Sequence, residues 1–275
     1  MTTPLTPGAA RKSLGQHFLF DRDLLARIAR SGGSIEGHTV VEIGPGPGGL
    51  TRALLDAGAT PLVAIELDQR FADGLASWPE AGDRLHIHRM DAMLADEAAL
   101  IAASGGAAPA VIAGNLPYNV GTALFIKWLK SQGWWDRMIL MFQKEVAQRI
   151  CAAPGDAHYG RLAVLTHAVA APRMAMTLKP GAFRPPPKVD SAIIVVEPLP
   201  QADRFEDLDA METVTAAAFG QRRKMLRASL KSLVQGRAIS AEELLERAEI
   251  DPTRRAETLD QTEFRKLASV WRSAK

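Results

Sequence analysis

The chain is poor in several things, and each scarcity excludes something. It has one cysteine, Cys151, among 275 residues. No intramolecular disulfide is possible, which fits a reducing compartment. There is no apolar run of membrane-spanning length, and the opening stretch MTTPLTPGAARKSLGQHF has no hydrophobic h-region. These absences predict a cytoplasmic protein, with no membrane partner. His86, His88, His158 and His167 stand at no ligand-like spacing from Cys or acids, so no metal is expected. No internal repeat is present, and only AALIAASGGAAPA approaches low complexity. The scarcest local feature is negative charge. No Asp or Glu occurs from Thr213 to Ala241, a window that holds Arg222, Arg223, Lys224, Arg227, Lys231 and Arg237. A solvated helix face is the plainest account of such a run; a grip on an anionic partner is the other.

What is present is ordinary for a globular protein: 47% hydrophobic and 23% charged residues, with a net charge of +2. Short β-type runs alternate with helix-type runs through the first two thirds. HTVVEIG (38–44), PLVAIEL (61–67), RLHIHRM (84–90), PAVIAGN (109–115) and RMILMFQ (137–143) read as strands. GLTRALLDAG (49–58), closed by Gly58, and DQRFADGLASW (68–78), capped by Asp68, read as helices between them. The pattern predicts an α/β fold, a parallel sheet with helices on both faces. RMAMTL (173–178) and SAIIVVEP (191–198) add an antiparallel pair at its edge. After paired prolines near 199 the period becomes helical, with Ser240 and Glu243 at capping-box spacing and a weaker start at Thr262 and Arg265. This predicts a sheet domain over 1–198 and a small all-helical domain over 199–275.

VVEIGPGPGGLT (40–51) joins the first strand to the first helix. Gly44, Gly46 and Gly49 satisfy a G-x-G-x-x-G spacing in the required context. Glycines there let a ligand approach the backbone. Glu66 ends the next strand, where a carboxylate can accept from both hydroxyls of a ribose. A dinucleotide is one candidate ligand. Two features disfavour it: Glu42 suits a cation, and Pro45 and Pro47 remove backbone donors for phosphates. S-adenosylmethionine, with ammonium, sulfonium, ribose and adenine, fits better. Asp91, past the third strand, can accept from an adenine amine.

NLPY ends the fourth strand on the same sheet edge. An adenine amine is a poor nucleophile, because its lone pair is delocalised into the ring. Two acceptors on its hydrogens favour a pyramidal nitrogen. Asn115 offers its side-chain oxygen and the Leu116 or Pro117 carbonyl the second, while Tyr118 can stack on the base. Pro117 stiffens the turn and preorganises these groups.

LGQHFL, EIGPGPGGLT, NLPYNV and FRPPPKVDSA stand in the order and spacing of the ribosomal RNA adenine dimethyltransferase family, which this chain resembles from about Lys12 to Ser191. AFGQRRKMLRASL extends the likeness to the bacterial small-subunit (16S) members. The resemblance implies an enzyme that uses S-adenosylmethionine to place two methyl groups on an adenosine amine. It implies a monomer acting on 16S rRNA in the small ribosomal subunit or its precursor, through a Rossmann-like methyltransferase domain and a helical rRNA-binding domain. By the family pattern, Gln16 to Leu19 cover the cofactor, His17 and Leu19 touching it. Gly44 lines its methionine end, Glu66 binds ribose, Asp91 the adenine amine, and Asn115 both cofactor and substrate. Phe183 stacks on the target base opposite Tyr118. Arg222, Arg223, Lys224 and Arg227 become candidate phosphate contacts. One departure is His17, where many members carry Asn; a charged ring near a sulfonium would be unfavourable.

Two rivals remain. A nicotinamide oxidoreductase could use the glycine loop but leaves NLPY and the basic window unexplained. A non-catalytic ribosome-assembly factor could keep the fold, though intact Glu66, Asp91 and Asn115 argue for catalysis. Trp134 and Trp135 read as packing residues and Cys151 as inert.

Overall fold

The computed structural model describes residues 17–274. In chain order the elements are β1 (Phe18–Leu19), α1 (Arg22–Ala29), β2 (Val40–Ile43), α2 (Gly49–Asp56), β3 (Leu62–Glu66), α3 (Gln69–Ala76), β4 (Leu85–Arg89), α4 (Glu97–Ala103), β5 (Ala110–Asn115) and α5 (Gly121–Lys130). There follow β6 (Trp135–Gln143), α6 (Lys144–Cys151), α7 (Arg161–His167), β7 (Ala170–Leu178), β8 (Phe183–Arg184), β9 (Ser191–Pro198), α8 (Leu208–Gly220), α9 (Leu226–Ser229), α10 (Ala241–Arg247) and α11 (Gln261–Ser273).

Seven strands form one sheet in the order β4-β3-β2-β5-β6-β9-β7. The first five are parallel, and β9 runs antiparallel to β6. Every residue of β2 and β3 is buried, as a parallel sheet covered on both faces requires. The chain goes from β2 outward through β3 and β4, then returns to the other side of β2 as β5. Strand order therefore reverses between β2 and β5, and such a reversal opens a crevice at the carboxyl ends of the two strands. The register pairs Ile43 with Gly114. This sets Gly44 and Asn115 side by side at the crevice mouth. A Cβ on Gly114 would come within 2.9 Å of the Ile43 carbonyl oxygen, so the close approach of β5 to β2 needs glycine there.

A separate two-stranded sheet pairs β1 with β8, Phe18 with Arg184 and Leu19 with Phe183. It joins two motifs that lie more than 160 residues apart. Asp68 caps α3, accepting from the Arg70 N–H at 3.1 Å.

Three expectations change. The Ala-rich tract contains a helix, α4, started by the Asp96 side chain on the Ala99 N–H at 3.0 Å. The helical period after 199 is interrupted: α8 stops at Gly220, residues 221–225 form a turn, and α9 has four residues. Thr262 does not start α11; Asp260 does, in a reciprocal capping box with Glu263. Ser240 caps α10 through the Glu243 N–H at 3.0 Å.

The chain divides into two compact units. One comprises the chain to Ala147 with Arg173–Glu197; the other comprises Gln148–Pro172 with the chain from Pro198 on. A break falls before Pro198, and 148–172 groups with the helices rather than with the sheet. Its core explains this: the Phe219 ring lies 6.1 Å from Tyr159 and 5.7 Å from Phe264, while Arg161 pairs with Glu212. Among the described residues no helix is long and apolar enough to cross a membrane.

Candidate active site

The crevice between β2 and β5 is a cavity lined by His17, Leu19, Glu42, Gly44, Glu66, Asp91 and the turn 114–120. Each strand delivers its residue at its carboxyl end. Gly44 has φ +66, and a Cβ there would meet nothing within 4 Å, so its backbone faces the open cavity. Glu66, 6% exposed, is fixed by two backbone donors: the Asp68 N–H reaches Oε1 at 2.7 Å and the Gly46 N–H reaches Oε2 at 2.9 Å. It thereby latches the glycine loop to β3. Burial raises its carboxyl above the usual range, while the Asp68 and Gly46 donors oppose that rise.

Glu42 is 1% exposed, and its Oε2 has no hydrogen-bond partner among the described residues. Burial pushes its carboxyl up to about 8. A buried, unpartnered acid oxygen in a cavity wall suits a cationic or hydrogen-donating ligand. Asp91 does two things: Oδ1 accepts from the Met93 N–H at 2.9 Å as a cap, and the residue also lines the cavity. Together these features fit S-adenosylmethionine.

The turn after β5 is held from several sides. The Asn115 Nδ2 donates to the His17 carbonyl at 2.7 Å, so its Oδ1 is left as an acceptor. The Pro117 carbonyl accepts from Val120 and Gly121, at 3.2 and 2.9 Å, at the start of α5. Of the two backbone acceptors offered by the sequence, only the Leu116 carbonyl receives no backbone donor among the described residues. The His17 ring lies 5.7 Å from the Tyr118 ring, and its Nδ1 is 2.7 Å from the Pro185 carbonyl. The Tyr118 hydroxyl shares a hydrogen bond with Ser191 Oγ at 2.9 Å.

Most of the residues singled out by sequence therefore meet in one cavity. Gln16 lies outside the described residues. Phe183 is placed differently from expectation. It is 2% exposed, paired with Leu19 and packed in the core; the ring beside Tyr118 is that of His17. A sequence motif marks Phe183 as special but does not say which side of β8 it takes. Of the basic residues, Arg222 is already held by Glu257 at 2.7 Å and by the Ala157 carbonyl at 3.1 Å. Arg223, Lys224 and Arg227 are exposed. Arg223 precedes α9, so it does not share a helix face with Arg227. Sequence reasoning missed Ser191, whose only signal was its place at the end of FRPPPKVDSA. Trp134 and Trp135 are buried, and burial pushes the Cys151 thiol up to about 11.

The fold and site define an S-adenosylmethionine-dependent methyltransferase. A dimethyladenosine transferase from Plasmodium falciparum superposes with a TM-score of 0.75 at 25% identity, covering 91% of this chain and 96% of that one. The 23S rRNA methyltransferase ErmE shares the fold with a TM-score of 0.64 at 24% identity, covering 93% of this chain and 99% of that one. The chain belongs to the ribosomal RNA adenine dimethylase family, whose model matches residues 8–267. It is 54% identical over 264 residues to the ribosomal RNA small subunit methyltransferase A of Gluconobacter oxydans, covering 95% of this chain and 83% of that protein. The protein of the same name from Maricaulis maris is 49% identical, with 96% and 91% covered.

Proposed function

We propose that this enzyme methylates the exocyclic amines of two adjacent adenosines near the 3′ end of small-subunit rRNA; the names of its relatives support small-subunit rRNA, and the family description supports adenine dimethylation. The supporting observation is Asn115. Its amide donates to the His17 carbonyl, which leaves Oδ1 as an acceptor in the cavity that Tyr118 also lines, at the strand reversal. S-adenosylmethionine, when bound, supplies an electrophilic methyl group. Gly44, Glu66, Asp91, His17, Leu19 and Asn115 are the residues to hold it, with Glu42 in the same cavity as a carboxyl that the ligand's positive charge would ionise. Asn115 Oδ1 and the Leu116 carbonyl accept the two hydrogens of the target amine and favour a pyramidal nitrogen. Tyr118 stacks on the base once it leaves its helix. No strong general base is needed, because the amine becomes acidic on methylation. The helical unit holds rRNA through Arg223, Lys224 and Arg227, with Arg222 competing between Glu257 and phosphate.

The test is incubation with labelled S-adenosylmethionine and under-methylated small subunits, with the label located by RNA mass mapping. Label on two neighbouring adenosines is expected. Asn115→Ala should lower the rate about 100- to 1,000-fold, as loss of one preorganised transition-state partner does. Tight subunit binding with no label in the wild type would instead indicate an assembly factor.

A further inference from the structure

The geometry points to Ser191 as a positioning residue that fixes the Tyr118 ring at the angle needed to receive the target base. This rests on the methyltransferase reading of the site. Tyr118 lies in a turn, not in an element, so nothing in regular secondary structure fixes its side chain. Its ring is defined at two places: the flank near His17, and the hydroxyl held by Ser191 Oγ at 2.9 Å.

Ser191 is well built for that task. It opens β9 opposite Gln143 of β6. The preceding carbonyl, of Asp190, accepts from the Lys144 N–H at 2.9 Å, which pins the strand start. Side chains alternate along a strand, so Ser191 shares a face with Ile193, and Ile193 lines the cavity. Ser191 is 0% exposed. A buried hydroxyl must find a partner, and here the partner is the ring expected to stack on substrate. A ring anchored before binding does not have to be immobilised during it. Ser191 itself is not among the residues that line the cavity.

A double-mutant cycle tests this. Ser191→Ala and Tyr118→Phe each remove one end of the same hydrogen bond. Each should lower kcat/KM for under-methylated subunits roughly tenfold, which is about 1.4 kcal/mol, and the double variant should fall no further. S-adenosylmethionine affinity should stay at the wild-type value, and Ser191→Thr, which keeps the hydroxyl, should recover most of the loss. Losses that multiply to about 100-fold would overturn the proposal, as would a Ser191→Ala enzyme with wild-type kinetics and only a lower Tm. If Ser191→Ala does not fold, a wild-type rate for Tyr118→Phe would overturn it equally. A readout free of turnover separates this proposal from the functional reading. The chain has two tyrosines, so selective labelling gives two ring signals by NMR. Ser191→Ala should broaden or split the Tyr118 signal; an unchanged single signal would sink the role even if the substrate assignment were wrong.

Discussion

At residue 42 a carboxyl sits where a carboxylate is costly. Glu42 lies within the strand before the glycine loop, and its neighbour in charge is Glu66, whose carboxyl is raised as well. The folded chain therefore holds the Glu42 proton more tightly than the unfolded chain does, up to about pH 8 against 4.5. The sign follows: this site contributes stability below about pH 4.5 and loses it progressively as pH rises toward about 8. The maximum slope for one such group is about 1.36 kcal/mol per pH unit. Thermal unfolding of the cofactor-free protein should show Tm falling from pH 5 to 8. In Glu42→Gln that fall should be distinctly shallower, leaving the smaller contribution of Glu66 with the same sign. Identical slopes in the two proteins would mean that Glu42 is solvated or paired in solution. The same substitution should weaken S-adenosylmethionine binding, since the ligand's positive charge would favour the ionised Glu42 carboxyl and a glutamine cannot supply that charge.

Between elements, one buried network matters most for the site. Glu97 opens α4 and is 4% exposed. Its Oε1 accepts from Lys127 Nζ and Trp128 Nε1 of α5, both at 2.7 Å. Lys127 Nζ also donates to the Ala92 and Ala95 carbonyls, at 2.9 and 2.7 Å. The turn that carries Asp91 is thus tied to α5 by one ammonium group. Removing one partner of a buried pair leaves the other uncompensated, at roughly 3–5 kcal/mol. Lys127 keeps some solvent contact, so Glu97→Ala should cost about 2–3 kcal/mol by denaturant unfolding. Cofactor affinity should fall with it as the Asp91 turn loosens. A destabilisation within about 0.5 kcal/mol, the range of ordinary surface substitutions, would show that the network adds little. None of this is legible in the sequence, because α4 lies in an Ala-rich tract that carries almost no amphipathic period. The tail misleads in the opposite way. Its helical composition runs through 211–235, but Gly220 and the turn after it break the element.

For the whole molecule, the question is where rRNA is held. The acid-free window remains the natural place, yet its geometry is looser than one helix face. Arg223 and Lys224 lie in the turn before α9, and Arg227 on α9 itself. Phosphate contacts position a substrate without touching the reacting atom and make binding salt-dependent. Replacing Arg223, Lys224 and Arg227 by Ala should weaken binding of small subunits. It should also reduce the log–log salt slope by about 0.7–0.9 for each phosphate that is no longer neutralised. Filter binding across a salt series checks this, with S-adenosylmethionine affinity as the unchanged control. Equal slopes for variant and wild type would make the window a solvated face. Arg222→Ala alone should change little, because Glu257 already neutralises it.

By itself the sequence determined the parallel sheet, the glycine loop, the acids at successive strand ends and the NLPY turn. Those features are local: strand and helix periods, and residue types at short spacing, are readable without knowing what packs on what. Tertiary structure alone decided the rest. It put residues 148–172 with the helical unit through the rings of Tyr159, Phe219 and Phe264. It turned Phe183 inward beside its strand partner Leu19 and brought His17 to Tyr118. It committed the Pro117 carbonyl to the start of α5, while the Leu116 carbonyl receives no backbone donor among the described residues. It also paired Tyr118 with Ser191, 73 residues away. Each of these depends on which of several chemically adequate partners comes into contact, and that is set by packing between segments remote in sequence, which no local pattern encodes.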